Sequence, residues 1–194
     1  MFIIKKFILV LITIFIFQTV SKANDVREFE IEGISIGDSL LDYYTENVIL
    51  ENKQSIQYPN EKFIVYNLND IKDLIQYDRY TITIKNNDKN YIIAGVTGGV
   101  AYGNLDECIE LKKEFNNEFK KIFPNIIGNE VKYTPIYDKS GKSKVVGTEY
   151  SFPSGDVMVA NCNDWSDNVK LQKTFQVSMR NEEFSNFLIN DAYE

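Results

Sequence analysis

Two cysteines, a short run of amide and carboxylate side chains, and 28 acidic residues are what this 194-residue chain offers to chemistry, and it contains no histidine. Without an imidazole, a Ser-His-Asp triad is excluded and a cysteine nucleophile has no base beside it. Zinc is left with carboxylates and two thiols far apart in sequence. A pair of carboxylates could still serve as acid and base, as in glycoside hydrolysis, but the acids are too numerous for any pair to stand out. The sequence therefore nominates no catalytic residue, no metal ligand and no cofactor.

Cys108 and Cys162 have a different use. In an oxidising compartment two cysteines form one disulfide more often than two free thiols. Cys108 falls on the apolar stripe of an expected helix, and Cys162 alternates with Met158 and Ala160 along an expected strand, so both can face one core. A bridge closing a loop of about 55 residues stabilises a fold by about 4 kcal/mol in the chain-entropy account.

Three polar stretches invite binding readings. Ser140-Gly141-Lys142-Ser143 has the end of a phosphate loop, but Ile136 stands where the first glycine belongs, so an ordinary polar turn is expected. Thr97-Gly98-Gly99 does not fit a dinucleotide fingerprint and reads as a bend at a strand end. Asn161 to Asn168 is the densest oxygen-ligand stretch. Counted from Asp164, Val169 replaces the glycine and Phe175 the glutamate of a calcium loop. Asp164 and Trp165 remain as candidate binding residues, an aromatic surface for a sugar or peptide; the competing role for Trp165 is to cap the core with its ring.

The elements that must position these residues follow from periodicity. Phe29 to Glu32 alternates as a strand, and Asp38 or Ser39 is placed to cap a helix carrying Leu40, Leu41 and Tyr44. A strand is expected around Phe63 to Tyr66, and a hairpin from Tyr80 to Lys85 and Tyr91 to Val96. From Asn104 to Phe123 apolar residues recur at three and four, with Asn104 as cap, Pro124 as stop and Glu110 to Glu114 as a solvated face. Strands follow at Val131 to Tyr137, Val145 to Phe152, Val157 to Cys162 and Thr174 to Met179, then a short helix from Asn181 to Tyr193 with Phe184, Phe187 and Leu188 inward. The fold class expected is α+β: an antiparallel meander sheet packed by one long middle helix, with short helices near both ends.

Met1 to Ala23 carries the three parts of a secretory signal: Lys5 and Lys6, an apolar run from Phe7 to Phe17, and Ser21-Lys22-Ala23. The run is shorter than the roughly 20 residues of a membrane span, so cleavage before Asn24 is expected, leaving one domain over residues 24–194 in the periplasm or outside the cell, with no stable membrane insertion. Cleavage removes three of the 21 basic residues and none of the 28 acidic ones, taking the formal charge from −7 to −10. Such a charge repels nucleic acid and anionic membrane surfaces.

Phe29 to Tyr44, Tyr91-Ile-Ile, Cys108, Asp138-Lys-Ser-Gly-Lys142 and Cys162-Asn-Asp-Trp165 resemble a set of uncharacterised exported proteins of marine alphaproteobacteria. The resemblance spans the mature chain and implies export, without an activity or ligand. Ile36-Gly37-Asp38-Ser39-Leu40-Leu41 is locally similar to small outer-membrane assembly lipoproteins, although the lipid-bearing cysteine of that group is missing. The function expected is a non-catalytic exported domain that binds an envelope or extracellular protein or another envelope component. A carboxylate hydrolase of envelope polymers and a small-ligand carrier are the alternatives.

Overall fold

The computed structural model describes residues 25–54, 57–70, 73–135 and 138–192; the expected signal, Met1 to Ala23, lies outside them. The elements are α1 (Glu46–Glu51), β1 (Phe63–Asn67), β2 (Arg79–Lys85), β3 (Ile93–Ala101), α2 (Leu105–Ile122), β4 (Gly128–Tyr133), β5 (Lys144–Ser151), β6 (Val157–Asp164), β7 (Thr174–Arg180) and α3 (Glu182–Asn190). All seven strands form one antiparallel sheet in the order β1-β2-β3-β7-β6-β5-β4. Two meanders are thus joined edge to edge. Helix α2 carries the chain from β3 to the far edge at β4, and three hairpins bring it back until β7 lies beside β3.

Alternation sets the two faces of this sheet. Phe175, Val177 and Met179 of β7, Met158, Ala160 and Cys162 of β6, and Ile82 and Val96 of the β2–β3 hairpin are all buried in the main core cluster. Over them lies α2, started by Asn104, whose side chain accepts from the Glu107 amide, and ended just before Pro124. Phe115 packs on Phe119 and Phe175, and Phe119 with Phe123 at the helix end packs on Tyr150 and Phe152, with ring centroids 4.2 to 6.2 Å apart. Cys108 and Cys162 are joined across the same interface, Cα to Cα 5.8 Å, and both are fully buried.

One position on that inner row is charged. Lys112, expected on the solvated face, is only 6% exposed, and its Nζ donates to Glu130 Oε2 at 2.5 Å and Thr148 Oγ1 at 3.3 Å. Burial works to raise the Glu130 pKa, but hydrogen bonds from Lys112 and Thr148, with the lysine's charge, outweigh it and hold the carboxyl below its ordinary value. A long aliphatic stem let a lysine join an apolar row while its ammonium found edge strand β4. Ile122, on the expected stripe, is instead 45% exposed.

The N-terminal segment departs from expectation. Phe29 to Glu32 is not a strand: a single bridge, Ile31 to Ile34, closes a turn in which Glu32 and Gly33 take φ of 54° and 76°. Such left-handed residues end an extended run, so the apolar residues enter the core as an irregular strap with Val26, Ile31, Ile34, Ile36 and Leu40 buried. The helix expected at 38–44 is one 3-10 turn, Leu40–Asp42, with Ser39 accepting from the Leu41 amide. Backbone groups of Gly37, Asp38 and Leu40 bond instead to Tyr91 and Ile93 at the start of β3, which competes with helix formation. Thr97-Gly98-Gly99 is no bend either; it runs in register between β2 and β7. A Cβ on Gly98 would lie 2.7 Å from the Tyr77 ring, so glycine is there to admit an aromatic over the strand. The strand expected at 131–137 starts earlier, at Gly128, and residues 136 and 137 are outside those described.

Replacing both cysteines by alanine should lower stability by about 4 kcal/mol, read from denaturant midpoints, while far-UV circular dichroism at low denaturant stays native. Glu130→Gln, which strands the buried ammonium, should cost more stability than Lys112→Met, which removes that charge and keeps the stem's packing.

Candidate functional site

The face of the sheet away from α2 is covered over only part of its width. Helix α3, capped by Asn181, whose side chain accepts from the Phe184 amide at 2.8 Å, lays Phe184 and Phe187 over Phe63 and Ala94. Gly95 makes room for this packing, since a Cβ there would lie 2.8 Å from the Phe184 ring. Beyond α3 no helix among the described residues covers the sheet. A groove of about 810 Å³ opens between Leu188 and Ile189 of α3 on one side and Tyr133, Pro135 and Trp165 on the other. Its floor continues into a second hollow of about 470 Å³, with Thr81, Thr97 and Gln176 common to both.

The floor consists of the polar members of the same alternation that built the core. Asn67, Thr81, Thr97 and Ser178 lie on consecutive neighbouring strands, and Gln176 and Asn161 occupy the adjacent register row. Neighbours satisfy one another: Thr97 and Ser178 hydroxyls are 2.7 Å apart, and Asn163 Nδ2 donates to Gln176 Oε1 at 3.0 Å. The Asn161 amide lies over Gly147, where any Cβ would collide with its Oδ1. Arg180 also belongs to this floor. Its side chain is 21% exposed, and Nη2 stands 3.6 Å from Glu149. Its Nε is buried without a hydrogen-bond partner among the described residues. Burial lowers the guanidinium's pKa below its ordinary value, opposed by the charge of Glu149.

The polar turn before β5 positions the rim. Asp138 is buried and accepts from the Ser140 amide and hydroxyl at 2.9 and 2.6 Å, the Ser143 amide at 2.8 Å and the Ser166 hydroxyl at 3.1 Å. The Ser166 amide in turn donates to Ser143 Oγ at 2.9 Å. Hydrogen bonds from Ser140 and Ser143 hold the Asp138 carboxyl well below the usual carboxylate range. Ser140-Gly141-Lys142-Ser143 is therefore the outer part of a carboxylate-centred turn that fixes the residue next to Trp165.

The two nominated binding residues part company. Trp165 lines the groove. Asp164, at the end of β6, follows Cys162 onto the helix side and pairs with Lys173 Nζ at 2.7 Å. Among the described residues no cluster of three or more His, Cys, Asp and Glu side chains is placed to hold a metal ion. No helix among them is long and apolar enough to cross a membrane. Arg180, Gln176, Ser178 and Asn161 were within reach of the sequence as polar partners of Phe175, Val177, Met179 and Cys162. In a strand with one buried face such residues read as solvent-facing, and only the arrangement of α3 and the β4–β5 hairpin turns them into a floor. Comparison of the chain with protein-family models, curated proteins and solved structures finds no match.

Asp138→Asn should loosen the rim, and the chain's one tryptophan reports it. The variant's Trp165 emission should be quenched more readily by acrylamide at neutral pH than that of the parent. Because folding lowers the Asp138 pKa, its contribution to stability is complete above the ordinary aspartate value and is lost as pH falls through the folded one. The parent should lose stability on acidification below about pH 4, and Asp138→Asn should show a shallower loss over the same range.

Proposed function

We propose that the chain is an exported, non-catalytic binding module whose open sheet face takes an envelope or extracellular component. The observation that carries this reading is the groove itself: a floor of interlocked amides and hydroxyls between an apolar helix and an aromatic rim. Concave surfaces with a few fixed polar groups among apolar walls are where ligands bind. Glu149 is the one carboxylate among the described residues that line the two hollows, which gives a two-carboxylate hydrolase no pair among them. A buried disulfide accords with an oxidising compartment, and the likeness to exported alphaproteobacterial proteins agrees with it.

A photo-reactive residue installed at position 165 should, in living cells, form one reproducible adduct with an envelope or extracellular component. The same residue at Lys113, exposed on the outer side of α2, should give none. Equal adducts from both positions, or steady turnover of a substrate by the purified protein, would overturn the proposal.

A further inference from the structure

The charges on the open face are unlike those of the chain as a whole. Acidic residues outnumber basic ones 28 to 21, and the basic ones comprise 18 lysines and only three arginines, Arg27, Arg79 and Arg180. Yet among the described residues the charged ones lining the two hollows are Arg79, Arg180 and Glu149, with no lysine among them. An acidic protein thus presents two of its three guanidinium groups on a concave surface, with a single acid beside them among the described residues. At physiological ionic strength charges are screened over about 8 Å, so a ligand in the groove responds to these groups more than to the distant negative surface.

Among the described residues neither arginine is consumed by a strong ion pair. Arg180 meets Glu149 only at 3.6 Å, and Arg79 is exposed and hydrogen bonds to the neutral Gln172 amide. A planar guanidinium suits a carboxylate, which it can hold by two parallel hydrogen bonds. Arg79 stands opposite Gly99, which stands opposite Gln176, four residues along β7 from Arg180. Strand rise and spacing put their Cα atoms roughly 16 Å apart. The guanidiniums turn to different partners, Arg180 toward Glu149 of β5 and Arg79 toward Gln172, so an extended chain bearing repeated negative charges suits them better than one small anion.

The rest of the face selects among polyanions. Strands β2, β3, β7, β6 and β5 are paired on both sides, so the middle of the floor has no strand edge to which a peptide backbone could add; edges are left only to β1 and β4 at the two ends of the sheet. Among the described residues the groove has no lysines to track a phosphate backbone, and the chain's negative charge opposes nucleic acid at long range. What it offers is amides and hydroxyls that both donate and accept, matching sugar hydroxyls, and the rings of Trp165 and Tyr133 to pack against the C–H faces of pyranose units. Taking the open face to be the ligand site, we infer that its ligand is an acidic polysaccharide, a chain of sugar units bearing carboxylates that engage Arg180 and Arg79.

The test uses hexagalacturonate and its methyl ester as probes, with the mature protein followed by titration calorimetry and by amide chemical shifts. The acid should bind, shift amides on β3, β6 and β7, and weaken as salt is raised; the ester should bind at least tenfold more weakly, the equivalent of about 1.4 kcal/mol. Arg180→Gln and the exposed Arg79→Gln should each lower affinity for the acid about tenfold, with Lys113→Gln unchanged. Native thermal midpoints identify variants that have kept the fold, and Arg79→Gln serves if Arg180→Gln does not. Equal binding of acid and ester on the open face, unaffected by the arginine variants, would overturn the inference and leave the face as the ligand site. Failure of both oligomers to shift amides there would overturn the inference, and with groove adducts also absent from cells the site assignment would fall too. Preference for hexaglutamate over hexagalacturonate would overturn it in favour of an acidic peptide.

Discussion

Strand β7 is the constraint on which the other features depend. It hydrogen-bonds to β3 along one edge and to β6 along the other, and so fuses two meanders that would each be small on their own. A three- or four-stranded meander has little face to bury, whereas seven strands give α2 a surface wide enough to cover. The period of two then fixes the division of labour: once Phe175, Val177 and Met179 point toward α2, Thr174, Gln176, Ser178 and Arg180 must point away from it. A shift by one residue would exchange the sets and bury an arginine under the helix. The disulfide works at the same place, tying α2 to β6 next to that central pairing.

The two faces are closed by unequal means. On the core side a helix of 18 residues, an N-terminal strap and a cluster of phenylalanines leave little exposed. On the other, α3 has nine residues and reaches only Phe63, Ala94 and their neighbours. The uncovered strip keeps polar side chains that are too enclosed to rely on bulk water, and they meet that cost by bonding to each other. Among the described residues this is incomplete at Asn161 Oδ1 and at Arg180 Nε, and around Arg180 the surroundings supply one carboxylate at 3.6 Å and two tyrosines.

Much of this was readable in the chain. Helix α2 declared itself because the apolar repeat, Asn104 and Pro124 all agree, and the strands around the disulfide because their alternation is uninterrupted. The readings that failed are those in which tertiary contacts replaced the local rule. Residues 29 to 44 have strand and helix patterns, but their amides and carbonyls find partners at the start of β3 and their glycines turn the path. Gly98 and Gly99 look like a break until Tyr77 is seen lying on the strand. Lys112 was assigned to solvent by its charge, when its place in the heptad-like row of Cys108, Phe115 and Phe119 already put it inward. Trp165 was legible as a binding candidate by type, while Arg180 was not, since a basic residue at a strand end has no distinguishing mark until the sheet's open face is known.

The rim shows how the pieces become one site. Trp165 follows directly from β6, whose other face carries the disulfide, so its starting point is fixed by the core. Its direction is set from the opposite side, by Ser166 held on Asp138 and Ser143 in the β4–β5 hairpin. That hairpin also carries Tyr133 and Pro135 along the same wall. One buried carboxylate therefore ties together two segments, and the groove's width on this side follows from the geometry of that turn. The opposite wall is set by α3, whose first residue, Glu182, donates its amide to Oδ1 of Asp156 in the β5–β6 turn. Both walls are thus hung from buried aspartates in neighbouring hairpins of the same meander, which makes the groove a consequence of that meander's turns as much as of its strands.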